Sequence, residues 1–175
     1  MSKAVNQKEL FSGDHTVYWP ERYEPVVEYL KNGASNDVNA NSLYKLNVQV
    51  IVLAACIGLI SGDRKALPDK DKRKEIPLSV FNNNDLTVFI HLIAMLSDVE
   101  PDISILKNIE GENRAIKIFE EYAAAGLQIL SDKYNDGFVD TPYLFVTDLI
   151  KNNSQLIKSS TNSQYLPPEE EIRLF

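Results

Sequence analysis

The sequence contains a single cysteine, Cys56, which excludes a disulfide framework within the chain. Because Cys56 lies inside the most apolar segment, we interpret it as a small buried hydrophobic residue in a reducing compartment. Residues 1–10 lack the apolar stretch of roughly 7 to 15 residues that a secretory signal requires. Together these absences favour a cytoplasmic protein.

The motifs that usually carry chemistry are missing as well. The seven glycines are scattered, and none lies in the G-x-x-x-x-G-K frame of a phosphate-binding loop. His15, His91 and Cys56 stand in separate segments, which disfavours a metal site, and His91 between two apolar residues is typical of a structural histidine. No G-x-S-x-G turn presents a nucleophile. We therefore predict no catalytic residue, no cofactor and no metal, and a protein that is not an enzyme.

Basic residues are in the minority, since 18 Lys and Arg stand against 25 Asp and Glu, for a net charge of −7. Nucleic-acid affinity comes largely from counterions that basic side chains displace, so this balance disfavours non-specific DNA binding. The one basic concentration lies in residues 63–77. It is either a solvated connector, as mixed-sign charge runs usually are, or a contact for phosphate or an acidic partner. The candidate contact residues are Arg64, Lys65, Lys70, Lys72, Arg73 and Lys74.

Long hydrophobic runs are absent too. The uninterrupted apolar run at residues 50–60 has 11 residues, whereas a membrane span needs about 20. It predicts instead a buried central helix over residues 42–61, capped by Asn41 or Ser42 and ended by Gly62.

Helical periodicity predicts four further helices: residues 25–31, 85–97, 111–133, and one that begins with Pro142. The second of these starts at Asn83 or Asn84, and Asn84 can cap it. In the longest of these, the small residues 123–126 allow close approach of a neighbouring helix. Its apolar stripe is expected to face inward. Its charged residues are expected to face water: Glu112, Arg114, Lys117, Glu120 and Glu121.

The predicted fold is mainly α, with about five helices packed round the central helix (42–61) and at most a small β element. The strand signals are residues 16–19 and 76–81. We divide the chain into an N-terminal arm (1–15), a single helical domain (16–153) and an acidic and apolar C-terminal tail (154–175). Four apolar residues of the tail are predicted to dock on a partner or a neighbouring copy: Leu166, Ile172, Leu174 and Phe175.

Four segments, residues 18–24, 52–65, 75–81 and 118–130, resemble in their order the fourth of the Dnd-associated families. These are small proteins encoded beside DNA phosphorothioation and restriction systems. The resemblance implies a non-catalytic accessory or interaction subunit of a prokaryotic DNA-modification defence system. It implies larger proteins of the same operon as partners and leaves a homo-oligomer and direct DNA contact open. The shortness of the apolar run at residues 50–60 predicts no membrane contact.

An alternative comes from the order of an extended segment, a helix, a polar turn and a second helix. This order resembles the ribbon-helix-helix pattern of small DNA-binding repressors and implies a transcriptional regulator. The extended segment, residues 16–19, contains no Arg, Lys, Asn or Gln to reach the edges of bases.

Overall fold

A computed structural model describes residues 14–32, 42–97, 105, 108–137 and 141–161, with the side chains of the last range described only up to residue 151. Within these ranges the fold is mainly α with one small sheet, which confirms the predicted fold class. The elements in chain order are β1 (Thr16–Pro20), α1 (Glu24–Asn32), α2 (Asn47–Ser61), β2 (Arg73–Pro77), α3 (Leu78–Asn82), α4 (Thr87–Leu96), α5 (Ile109–Asn135) and α6 (Pro142–Thr161).

The two strands pair antiparallel, with Thr16 opposite Pro77 and Pro20 opposite Arg73. Val17 and Trp19 point into the core and are almost fully buried. The charged segment, expected to be a loop over residues 63–77, therefore becomes a strand in its last five residues. The helix α3 begins directly after β2, at Leu78, so the strand predicted over residues 76–81 was placed too far toward the C-terminus. Pairing with β1 determines where β2 lies, because strand formation depends on the partner strand as much as on the local sequence.

The central helix α2 begins at Asn47, later than the predicted residue 42. The residues before it are bound elsewhere, since the backbone N–H groups of Leu43 and Tyr44 both donate to the carbonyl oxygen of Leu30, at 3.3 Å. The side chain of Gln49 then accepts hydrogen bonds from the N–H groups of Lys45 and Leu46. A glutamine inside the first turn thus caps the helix in place of Ser42, while Asn41, the other predicted cap, lies outside the described residues.

The helices α2 and α5 cross with their backbones in contact. A Cβ atom built on Gly126 would lie 1.8 Å from the carbonyl oxygen of Ala54, and one built on Gly58 would lie 2.1 Å from that of Tyr122. Neither position can hold a side chain unless a backbone moves. The predicted close approach at residues 123–126 is confirmed, and the central helix is its partner.

The helix predicted over residues 85–97 is preceded by the separate short helix α3. Asp85 adopts a left-handed conformation, with φ of 57°, and the N–H of Leu86 donates to the carbonyl of Phe81. The turn separates α3 from α4, and Asn84 donates to the carbonyl of Val80 instead of capping α4.

The helix α6 starts at Pro142, as predicted, and its backbone continues to Thr161, into the segment assigned to the tail. The four predicted docking residues lie outside the described residues: Leu166, Ile172, Leu174 and Phe175. Of the N-terminal arm, only Asp14 and His15 are described.

Candidate functional site

The six basic residues predicted as a contact surface have separate surroundings. Arg64 donates to Oε2 of Glu121 from Nε and Nη2, at 3.0 and 2.5 Å. Lys72 pairs with Asp69 at 3.6 Å, and Lys74 forms an ion pair with Glu24. Carboxylates of this chain therefore neutralise three of the six, which lowers the positive potential that a phosphate backbone would meet.

The other three basic residues are less engaged with carboxylates. Lys65 and Lys70 are exposed, and neither forms an ion pair with any residue in the described ranges. Arg73 donates from Nε to the carbonyl of Pro68 at 2.5 Å and also lines a cleft beside α5. The six side chains thus differ in their partners: three pair with carboxylates, one bonds a backbone carbonyl, and two are exposed.

The cleft beside α5 has a volume of about 480 Å³, larger than the other cleft described, of about 340 Å³, and is our candidate for a ligand site. Its walls come from β1, from the loop after α2 and from one face of α5. They combine apolar side chains with charged ones. The residues that line it are Thr16, Tyr18, Ala66, Leu67, Arg73, Asn113, Ile116, Lys117, Glu120 and Glu121.

Glu120 lies against this cleft and is only 7% exposed. One of its carboxylate oxygens accepts a hydrogen bond from the backbone N–H of Tyr18 at 2.7 Å. Burial raises the pKa of Glu120 to about 7, although the Tyr18 N–H and the nearby Arg73 guanidinium act to lower it. Near neutral pH the group is divided between its neutral and charged forms, so it can donate or accept a hydrogen bond.

The prediction that the charged residues of α5 all face water is wrong at two positions. Glu120 is buried, and so is Glu112, which is 8% exposed and lies 3.2 Å from Nε2 of His15. The reason is that α5 is covered by α2 on one side and approached by β1 and α4 on others. One signal was available in the sequence, because Glu120 stands four residues after Ile116 on the apolar stripe of the helix.

Two residues with potentially reactive side chains lie away from the cleft. His91 is buried, as predicted for a structural histidine, and burial lowers its pKa. Cys56 is half-buried rather than fully enclosed, and burial raises the pKa of its thiol. A raised thiol pKa opposes formation of the reactive thiolate.

A second surface feature is the outer face of α4, a helix with no charged residue. Three apolar side chains spaced four residues apart are exposed on it: Val88 by 50%, Leu92 by 42% and Leu96 by 55%. We call these three residues the α4 stripe. The opposite face of α4 packs inward through Ile90 and Ile93. Leu96 lies at the C-terminal end of the helix and is the most exposed of the three.

Within the described ranges, no helix is long and apolar enough to cross a membrane. In the same part of the chain, no three His, Cys, Asp or Glu side chains are grouped so that they could hold a metal ion.

Comparison with known proteins gave one family. A family model described as DNA sulphur modification system-associated protein 4 matches residues 20–166, most of the chain. No curated protein and no solved structure matches the chain.

Proposed function

Because this chain belongs to the family of DNA sulphur modification system-associated protein 4, we propose that it is a non-catalytic accessory subunit that binds a larger protein of the same system. The association with DNA sulphur modification is the family's. The binding role and the partner are our inference. The absence from the sequence of a phosphate-binding loop, a zinc motif or a nucleophile turn supports the non-catalytic part.

The observation that carries the proposal is the α4 stripe. Single exposed apolar residues are ordinary on protein surfaces, but a helix face that repeats them every four residues without a charge is typical of an interface. Val88, Leu92 and Leu96 are spaced to enter an apolar groove of a partner. Because these side chains are already about half-buried, their further burial contributes about 1 kcal/mol each, before the cost of association is subtracted.

The test is copurification of the tagged chain with proteins encoded beside it in its native host. Wild type should recover at least one larger protein of the modification system. The double variant Val88→Lys, Leu92→Lys should lose it, because two ammonium groups would have to be buried. Ile60→Lys is the matched control, since Ile60 is equally exposed, by 52%, at the end of α2. Equal recovery with all three proteins would show that the α4 stripe is not the interface.

The alternative function, a DNA-binding regulator, has less support. One edge of β1 pairs with β2, and on the other edge the backbone N–H of Tyr18 donates to Glu120. Both contacts restrict the pairing of β1 with the same strand of a second copy. Of the six basic residues, Lys65 and Lys70 are the exposed ones without an ion pair among the described residues. A gel shift at about 50 mM salt that Lys65→Glu, Lys70→Glu abolishes would favour this alternative, because phosphate contacts are strong at low salt.

A further inference from the structure

The cleft beside α5 is bordered by the outer edge of β1, with which no other strand pairs in the described part of the chain. The N–H of Leu78 donates to the carbonyl of His15 at 2.9 Å, so these two residues form a hydrogen-bonded pair. Because such pairs alternate along antiparallel strands, Val17 and Trp19 bond to β2, while Thr16 and Tyr18 direct their backbone groups away from it. The Tyr18 N–H reaches Glu120. The Thr16 N–H lies on the same outer edge, where Thr16 lines the cleft.

The charges around the cleft favour an anion. Arg73 from β2 and Lys117 from α5 both line it, and Lys117 forms no ion pair with the described residues. Of the two acidic residues in its walls, Glu121 is neutralised by Arg64 from the loop after α2. Glu120 becomes neutral on taking up one proton. In that state the cleft presents two cations, an N–H group and a carboxyl O–H.

The size and the apolar walls point to a ligand larger than an inorganic ion. The volume of about 480 Å³ lies in the range of small-molecule sites, and Ala66, Leu67 and Ile116 provide an apolar wall. A phosphate monoester carries a charge of about −1.5 to −2 near neutral pH, which matches the two cations. A phosphodiester carries a single charge and matches them less well.

We propose that the cleft between β1 and α5 binds a phosphate monoester of mononucleotide size, held by Arg73 and Lys117, with Glu120 in its neutral form donating a hydrogen bond to a phosphate oxygen. This site is independent of the α4 stripe. Either proposal can therefore fail without the other.

The first test compares the binding of adenosine monophosphate and adenosine in calorimetric titrations of the full chain. Adenosine monophosphate should bind, and adenosine, which lacks only the phosphate, should bind at least about tenfold more weakly, because charge-assisted hydrogen bonds are lost. Lys117→Gln should weaken binding by a similar factor. Lys70→Gln is the control, since it removes the same charge from an exposed residue outside the cleft.

An oligonucleotide with and without a 5′-phosphate distinguishes the sources of the monoester. Binding only of the phosphorylated form would assign a DNA end as the source, and binding of the mononucleotide alone would assign a free metabolite. Equal binding of both oligonucleotides would overturn the proposal, because the phosphodiester backbone would then be the ligand. Equal binding of adenosine and adenosine monophosphate would overturn it too.

The second test uses pH and reports on Glu120 itself. An anion beside Glu120 favours its neutral form, so binding should take up a proton and weaken as the pH rises above 7, by up to about tenfold per pH unit. Glu120→Gln should remove this decline, since an amide donates a hydrogen bond at every pH. A decline that persists unchanged in Glu120→Gln would overturn the role of Glu120. Lys117→Gln still tests the site if that variant fails to fold.

Discussion

The two sides of α5 differ in how tightly they are packed. Against α2, Gly58 and Gly126 let two backbones touch, and a single methyl group would collide with a carbonyl oxygen. Against β1, the same helix borders a cleft of about 480 Å³ and presents a carboxyl group to it. The side that faces α2 leaves no room for an added atom, whereas the side that faces β1 has an open cleft and an ionisable group. The difference indicates that α5 is anchored by one face and leaves the other available for a ligand.

The largest effect is expected on the packed side. Gly126→Ala should lower the free energy of unfolding by about 3 kcal/mol or more, because overpacking typically costs about 1 to 3 kcal/mol and a Cβ atom here would lie only 1.8 Å from a carbonyl oxygen. Alanine has the higher helix propensity, so any destabilisation must be steric. Urea unfolding measures it.

The matched control for that variant is Gly62→Ala. Gly62 has open space around it but a φ of 72°, so alanine there should cost only about 1 to 2 kcal/mol of backbone strain. If Gly126→Ala is as stable as wild type, the helices do not touch as described, and the contrast between the two sides of α5 fails.

The second effect concerns the cleft side and depends on pH. The pKa of Glu120 rises from 4.5 to about 7 in the folded protein. Between these values the folded state binds more protons than the unfolded state, so the contribution of Glu120 to stability falls as the pH rises through this window. Glu120→Gln should therefore be more stable than wild type at pH 8, by about 2 kcal/mol after solvent screening in the cleft, and differ little at pH 4.5.

Urea unfolding at pH 4.5 and pH 8 measures this difference between the two proteins. Glu110→Gln is the control, because it removes the same charge from an exposed position of α5. A Glu120→Gln protein with the pH dependence of wild type would mean that Glu120 is solvated like Glu110.

The smallest effect is expected at the rim of the cleft. Arg64→Met breaks the ion pair with Glu121, in which the arginine side chain is 38% exposed. Ion pairs of this kind contribute about 0 to 1 kcal/mol, so the free energy of unfolding should change by less than about 1 kcal/mol. Thermal unfolding in low and high salt checks it, since salt should reduce the difference further. A loss of stability comparable to that of Gly126→Ala would show that Arg64 belongs to the packed core and not to the rim of the cleft.

Sequence reasoning was most successful where one segment decides its own structure. The start of α6 at Pro142 follows from the fixed φ of proline, and the small run 123–126 predicted a close helix contact that the structure confirms. It failed at Glu120, which was assigned to the solvated face of α5. A charged side chain on an isolated helix prefers water, and only the arrival of β1 supplies the N–H that accompanies its burial.

The sequence by itself determined the mainly α fold, the apolar central helix and the family to which the chain belongs, because periodicity, composition and the order of motifs are properties of the sequence alone. The tertiary structure alone decided that the end of the charged segment 63–77 is a strand and that Arg73, Lys117 and Glu120 line one cleft. These residues come from β2 and α5, far apart in the chain. Burial and the pKa of a carboxyl group depend on neighbours that only folding brings together.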